Sequence, residues 1–287
     1  MLVWKAHTRM IDALAFGPDG RVLAVGGYHL ACRLLDCPSG EQLWRVPGKQ
    51  AFALSLAFTQ DGSVLCKCGP LSTRSAVNGT ELRKCGNWCR AFGLAPDSRS
   101  AFVADAKFQD IVRRYDLASG DPRAEVELEA GAINRIAASP NGKLLAVLGC
   151  RRFHLLTVDK LEVIGSEAHR ALSSGAFALR FSPDSRTLIY TAGRTLFVWD
   201  TSAGREVVQV QQDAKHFMDA AFTPCGRRLI TVSKDGLSRV WDTATWTCER
   251  TLAWDVGPLR AVTVSPDGTR AAVAGDEGRV VVWDLDV

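Results

Sequence analysis

No stretch of the chain approaches the ~18 to 20 consecutive apolar residues that a membrane-spanning helix requires, so no membrane partner is expected. The opening segment, Met1-Leu-Val-Trp-Lys-Ala-His7, lacks the charged and apolar regions of a secretory signal. Blocks of like charge are missing as well. The 35 basic and 31 acidic side chains leave a formal net charge of +4, and the basic ones gather no further than pairs such as Arg113-Arg114, Arg151-Arg152 and Arg227-Arg228. Phosphate neutralisation needs a local density of Lys and Arg, so no specific nucleic-acid partner is expected.

What is present suits a compact globular protein: 47% of residues are hydrophobic and 23% charged, close to soluble averages. Nine cysteines, an odd number set mostly in apolar stretches, fit a reducing compartment where Cys serves as a small hydrophobe, and a cytoplasmic location is expected. Four of them, Cys66, Cys68, Cys85 and Cys89, fall within 24 positions. Zinc sites want four converging ligands, usually in Cys-x₂₋₄-Cys pairs. Cys66 and Cys68, however, fall on one face of a strand and Cys89 begins the next repeat, so these thiols are read as packing residues and no metal is assigned.

An internal repeat organises the chain. An apolar residue, a small residue, Pro, a polar residue and Gly or Ser recur as Phe16-Gly-Pro-Asp-Gly20, Leu94-Ala-Pro-Asp-Ser98, Ala138-Ser-Pro-Asn-Gly142, Phe181-Ser-Pro-Asp-Ser185, Phe222-Thr-Pro-Cys-Gly226 and Val264-Ser-Pro-Asp-Gly268. A further copy, Phe58-Thr-Gln-Asp-Gly62, has lost only its Pro. The block is a tight hairpin: Pro presets φ, Asp or Asn caps the turn through its side chain, and Gly takes the left-handed position. Ser98 and Ser185 are expected in that same position at a strain of about 1 kcal/mol.

A β-rich run follows each block, then a turn and a second run with an aromatic or apolar ending, usually before Asp. Those endings are Leu35-Asp36, Val77-Asn78, Tyr115-Asp116, Val158-Asp159, Trp199-Asp200, Trp241-Asp242 and Trp283-Asp284. A polar turn such as Ser202-Ala-Gly-Arg205 and a short fourth strand such as Gln42-Leu-Trp-Arg-Val46 complete each unit. Four strands per unit in seven copies is the pattern of propeller blades.

The chain resembles the WD40-repeat family over essentially residues 1 to 287, on the recurring turn and the three intact Trp-Asp pairs. It departs from the family in four degenerate Trp-Asp pairs and in the near absence of the Gly-His element, for which His7 alone has the usual spacing. The resemblance implies an all-β, seven-bladed β-propeller with four antiparallel strands per blade, a single domain spanning 1–287. The last repeat ends on its third strand, and Met1–Lys5 precedes the first block as Gln42–Val46 precedes the second, with Trp4 and Trp44 in matching places. Residues 1–6 are therefore expected to complete the blade formed by 257–287, which removes the open edges of the sheet.

In the family, partners dock around the central channel, on residues where the innermost strand begins and in the loop between the second and third strands. Those offsets fall on Met10, Asp12, Phe52, Trp88, Arg90, Asn134, Phe177, His216, Met218 and Arg260, and on the loop residues Tyr28, Phe108, Arg151, Lys234 and Asp276. Aromatic, Met and Arg side chains are the stuff of interaction hot spots. Trp199, Trp241, Trp283, Asp200, Asp242 and Asp284 are read as structural. A catalytic reading finds no convergent groups: His29 and His169 fall in turns, His154 in a strand, and only His216 at the mouth of the ring. The expectation is a scaffold or recognition module for a protein or peptide, monomeric, without cofactor and not an enzyme. The alternatives are a sensing propeller serving a separate effector, or a small-ligand or enzymatic propeller.

Overall fold

The computed structural model describes residues 1–7, 9–27, 30–46, 55–105, 110–168, 176–211 and 215–285. Among them are 27 β-strands, and no helix is long and apolar enough to cross a membrane. The chain opens with β1 (Leu2–Lys5), followed by β2 (Ala13–Phe16), β3 (Val22–Gly27), β4 (Leu30–Asp36) and β5 (Gln42–Arg45). Next come β6 (Leu56–Phe58), β7 (Val64–Lys67), β8 (Pro70–Ser75), β9 (Glu81–Leu94), β10 (Ser100–Asp105), β11 (Ile111–Asp116) and β12 (Pro122–Glu127). The next eight are β13 (Ile133–Ala138), β14 (Leu144–Gly149), β15 (Arg152–Thr157), β16 (Val163–Ala168), β17 (Ala176–Phe181), β18 (Thr187–Ala192), β19 (Thr195–Asp200) and β20 (Arg205–Gln211). The last seven are β21 (Phe217–Phe222), β22 (Arg228–Ser233), β23 (Leu237–Asp242), β24 (Cys248–Ala253), β25 (Leu259–Val264), β26 (Arg270–Gly275) and β27 (Arg279–Asp284).

Each recurring block joins the first two strands of a unit, and its chemistry is visible atom by atom. The Asp or Asn carboxyl or amide oxygen accepts the backbone N–H two residues on, as in Asp19 with Arg21 at 2.9 Å and Asn141 with Lys143 at 3.0 Å. The small residue before Pro has a job that its size alone does not suggest. The hydroxyls of Ser139, Ser182 and Ser265 each accept the N–H five residues on, at 2.9 Å, and donate to the Asp or Asn two residues on. Gly17 and Ala95 lack that hydroxyl, and their turns rest on the Asp19 and Asp97 side-chain bonds and on backbone bonds such as Gly20 N–H to Gly17 O at 2.9 Å. Ser98 and Ser185 adopt left-handed φ values of 57° and 63°. Their hydroxyls reach the neighbouring unit: Ser98 accepts the Gln60 N–H at 2.8 Å and Ser185 the Asn141 N–H at 3.1 Å. The bond between units offsets the strain of the turn.

Strands β2–β5, β13–β16, β17–β20 and β21–β24 form four-stranded antiparallel sheets, and β6–β12 form one sheet of seven. The long β9 explains the fusion, because its first half pairs with β8 and its second half with β10. With β9 counted on both sides, the described strands make seven four-stranded units. The remaining unit is β25–β26–β27 with β1 at its outer edge, in the register Leu2 to Val282, Val3 to Val281, Trp4 to Val280 and Lys5 to Arg279.

Among the described residues no unit contains a core of its own. Seven hydrophobic clusters occur among the described residues, and each lies between two adjacent units. The cluster joining the last unit to the first sets Ala272, Ala274, Val280 and Val282 against Ile11, Phe16, Leu23 and Val25. The innermost strands β9, β13, β17, β21 and β25 each adjoin the next, β25 adjoins β2, β2 adjoins β6, and β6 shares its sheet with β9, so the units stand in a ring. Trp4 of β1 bears on the adjacent unit as well. Gly40, at φ 72°, lies so close beneath its indole that a Cβ there would stand 2.5 Å from the ring. Trp44 repeats that contact one unit on, over Gly79, and donates its indole N–H to Ala76 O at 2.8 Å.

The serine bond between units yields a discriminating test. Ser185→Ala keeps the strained φ and deletes the acceptor, and it is expected to cost about 1 to 2 kcal/mol. Ser185→Gly relieves the strain while losing the same bond, and it should lie within about 0.5 kcal/mol of the wild type. Urea unfolding of the two variants checks this, and equal destabilisation by both would contradict the offset.

Candidate functional site at the central channel

Antiparallel pairing decides which residues share an end of the ring. The start of each innermost strand lies beside the turn between the second and third strands, as in Phe217 opposite Ser233 and Ile133 opposite Gly149. The starts and turns singled out from the sequence therefore share the channel-mouth end of their sheets. Exposed there are Arg151 and Lys234, together with Met10 at 37% and Trp88 at 43% accessibility. Asn134, Phe177 and His216 are half-buried. Tyr28, Phe52 and Phe108 lie outside the described residues, as do His29 and His169, and Arg90 is described only as backbone within β9.

Met218 corrects the expectation of a contact surface. It is 6% accessible and belongs to the cluster between the units of β21–β24 and β25–β27. The cause is a β-bulge. Register shifts fall between Ile133 and Arg135, Phe217 and Asp219, and Leu259 and Ala261, leaving Asn134, Met218 and Arg260 as the extra, unpaired residues of their strands. A bulge re-aims the side chains that follow it. Where β13 and β21 resume pairing, Arg135 and Asp219 line the channel, a position that the offsets taken from the family did not mark.

One cavity of about 80 Å³ on the ring axis takes residues at or beside every innermost strand, among them Asp12, Ser55, Phe92, Arg135, Arg180, Asp219 and Arg260. Its charged groups join neighbouring units in series. Arg135 Nε donates to Phe177 O at 2.6 Å, and Arg180 donates to Asp219 Oδ1 at 2.8 Å. Asp219 Oδ2 in turn accepts the Val262 N–H at 3.2 Å. Arg260 donates to Asp12 Oδ1 at 3.2 Å and also pairs with Asp276. Asp12 and Arg260 came from the sequence, and Arg135, Arg180 and Asp219 did not. Their charge in an otherwise apolar strand was the signal available.

The remaining singled-out residues sit elsewhere. Trp199, Trp241 and Trp283 are buried, each in a cluster between two units, and Trp241 donates its indole N–H to Thr231 Oγ1 at 2.9 Å. Asp200 and Asp242 cap the turns after their strands: Asp200 accepts the Ser202 and Ala203 N–H groups, and Asp242 those of Ala244 and Thr245. These bonds hold both carboxyls below the usual carboxylate range, the side-chain bond from Ser202 leading for Asp200 and the backbone bond from Thr245 for Asp242. Asp284 is exposed. His7 accepts the Arg9 N–H through Nδ1 at 3.0 Å.

Cys66, Cys68, Cys85 and Cys89 share the cluster between the two halves of the seven-stranded sheet, with Cys68 one residue beyond β7 and Cys89 inside β9. The Sγ atoms of Cys68 and Cys89 lie 2.6 Å apart. Burial pushes the Cys66 thiol up to about 12 and Cys68 well above the usual range. Among the described residues no three Cys, His, Asp or Glu side chains gather as a metal site. Cys225 differs: it is exposed, and the Thr223 hydroxyl, then the Arg227 backbone, lower its pKa. Because the thiolate is the reactive species, iodoacetamide on the native protein should label Cys225 ahead of those four buried thiols. Peptide mass spectrometry reads the order, and equal labelling of the four with and without urea would contradict it.

A family model described as WD domain, G-beta repeat, matches residues 1–36, 208–242 and 246–284. Among curated proteins the chain is similar to "Target of rapamycin complex subunit wat1" of Schizosaccharomyces pombe, at 24% identity over 66% of this chain and 61% of that protein. It is 30% identical to "Pre-mRNA-splicing factor cwf17" of the same organism over 37% of this chain and 32% of that protein. "Target of rapamycin complex subunit LST8" of Rattus norvegicus is 21% identical over 66% of this chain and 58% of its own length. The alignments thus span between about a third and three fifths of these relatives. The matched repeats and the ring of antiparallel sheets support a WD40-type β-propeller for this chain.

Proposed function

We propose that the chain is a protein-interaction module that presents the channel-mouth face to a protein or peptide partner, in the cytoplasm and without catalysing a reaction. The observation that carries this reading is that two large apolar side chains, Met10 and Trp88, are accessible at that end, as are the cationic Arg151 and Lys234 on turns of other units. Apolar anchors ringed by charge are the composition of interaction surfaces. The relatives' names, subunits of a complex and a splicing factor, speak for the same reading. The channel carboxylates support a binding role over catalysis, since Asp12 and Asp219 are each paired with an arginine.

Replacing Met10 and Trp88 together by Ala tests this. The double variant should melt within a few degrees of the wild type, because both side chains are accessible. Affinity capture followed by quantitative mass spectrometry should show its specific partners depleted about ten-fold or more, the loss of a hot-spot pair. Undiminished capture by the folded variant would remove this face as the site.

A further inference from the structure

The channel wall carries three arginines and two aspartates, and its pairing is uneven. Arg180 holds Asp219, and Arg260 holds both Asp12 and Asp276. Arg135 has no ion pair among the described residues. Its two hydrogen bonds, Nε to Phe177 O at 2.6 Å and Nη1 to Asn134 O at 2.8 Å, both end on neutral carbonyls. A guanidinium has five N–H donors in a planar fork, so most of that capacity is unused on a side chain lining the cavity.

The surroundings make the imbalance costly. Burial lowers the Arg135 pKa, and although Asp219 attracts the guanidinium, Arg180 repels it. Arginine nonetheless stays protonated in proteins, so the wall carries a half-buried cation, and Asp219, the carboxylate that attracts it most, already accepts from Arg180. Such a charge is stabilised by a counter-ion that accepts from the fork, and carboxylate and phosphate oxygens match its geometry. The cavity of about 80 Å³ holds the equivalent of several waters, room for one small oxyanion and too little for a nucleotide.

We propose that the central channel is an oxyanion site anchored by Arg135, with Arg180 beside it, that takes a single carboxylate or a tetrahedral oxyanion of phosphate size. The site lies inside the ring and does not depend on the protein-binding reading of its face. A carboxylate would come from an acidic side chain inserted into the channel, and a tetrahedral anion from solution.

Thermal melting and titration calorimetry with sodium phosphate, sulfate and acetate, at fixed ionic strength against chloride, test the site on the full chain. In the wild type at least one of the three should give a saturable rise in Tm and a measurable heat. Arg135→Gln should bind that anion about ten-fold more weakly or not at all, as expected for loss of a charge-assisted fork. Arg135→Lys keeps the charge without the fork and should fall between the two. It is also the comparison that decides if Arg135→Gln does not fold. Binding of acetate as well as phosphate assigns the site to carboxylates, and binding of phosphate or sulfate alone assigns it to free oxyanions. No saturable response to any anion in the wild type, or equal affinity in wild type and Arg135→Lys, would overturn the proposal.

Discussion

Each four-stranded sheet of this protein has two apolar faces and no means of covering either one alone. Every hydrophobic cluster among the described residues lies between units, from Leu34 and Trp44 against Leu65 near the start of the chain to Val240 against Val281 and Trp283 near its end. That constraint allows no free end: a unit without a neighbour would expose a full sheet face and an unpaired strand edge. The ring therefore depends on the contact that closes it, where β1 supplies the outer edge of the last unit. Trp4, on that strand, also leans over Gly40 of the first unit. The rest of the architecture, the channel included, exists because that circuit is complete.

Most of the architecture was legible in the sequence because hairpin chemistry is local. Pro, Asp and Gly at fixed spacing dictate a turn whatever surrounds them, and even the left-handed Ser98 and Ser185 could be read in advance. What could not be read is what local rules do not encode. The hydroxyls of those serines bond a neighbouring unit, a contact invisible to spacing along one strand. The bulges at Asn134, Met218 and Arg260 shift the pleat by one residue, so the offset taken from the family pointed to Met218 where the channel receives Asp219. Arg135 was hidden for the same reason, and β9 runs from Glu81 to Leu94 through two units, its pairing with β8 shifting register between Pro70 and Ser72.

The channel charges tie this architecture to its proposed roles. They link successive innermost strands in series, from Arg135 to the backbone of β17, through Arg180 and Asp219 to the backbone of β25, and through Arg260 to Asp12. Charged hydrogen bonds in a partly desolvated wall fix geometry more than they add stability. A wall held this way suits a surface that binds by complementarity, since little conformational entropy is left to lose when a partner arrives.

Removal of residues 2–6 reaches the central claim most directly, since it takes away β1 and leaves every other strand intact. The truncated chain should unfold at markedly lower urea concentration and temperature than the full chain and should self-associate through the exposed edge of β27, as size-exclusion chromatography with light scattering would show. An unchanged thermal midpoint, with the same oligomeric state as the full chain, would contradict a ring held shut by its first strand.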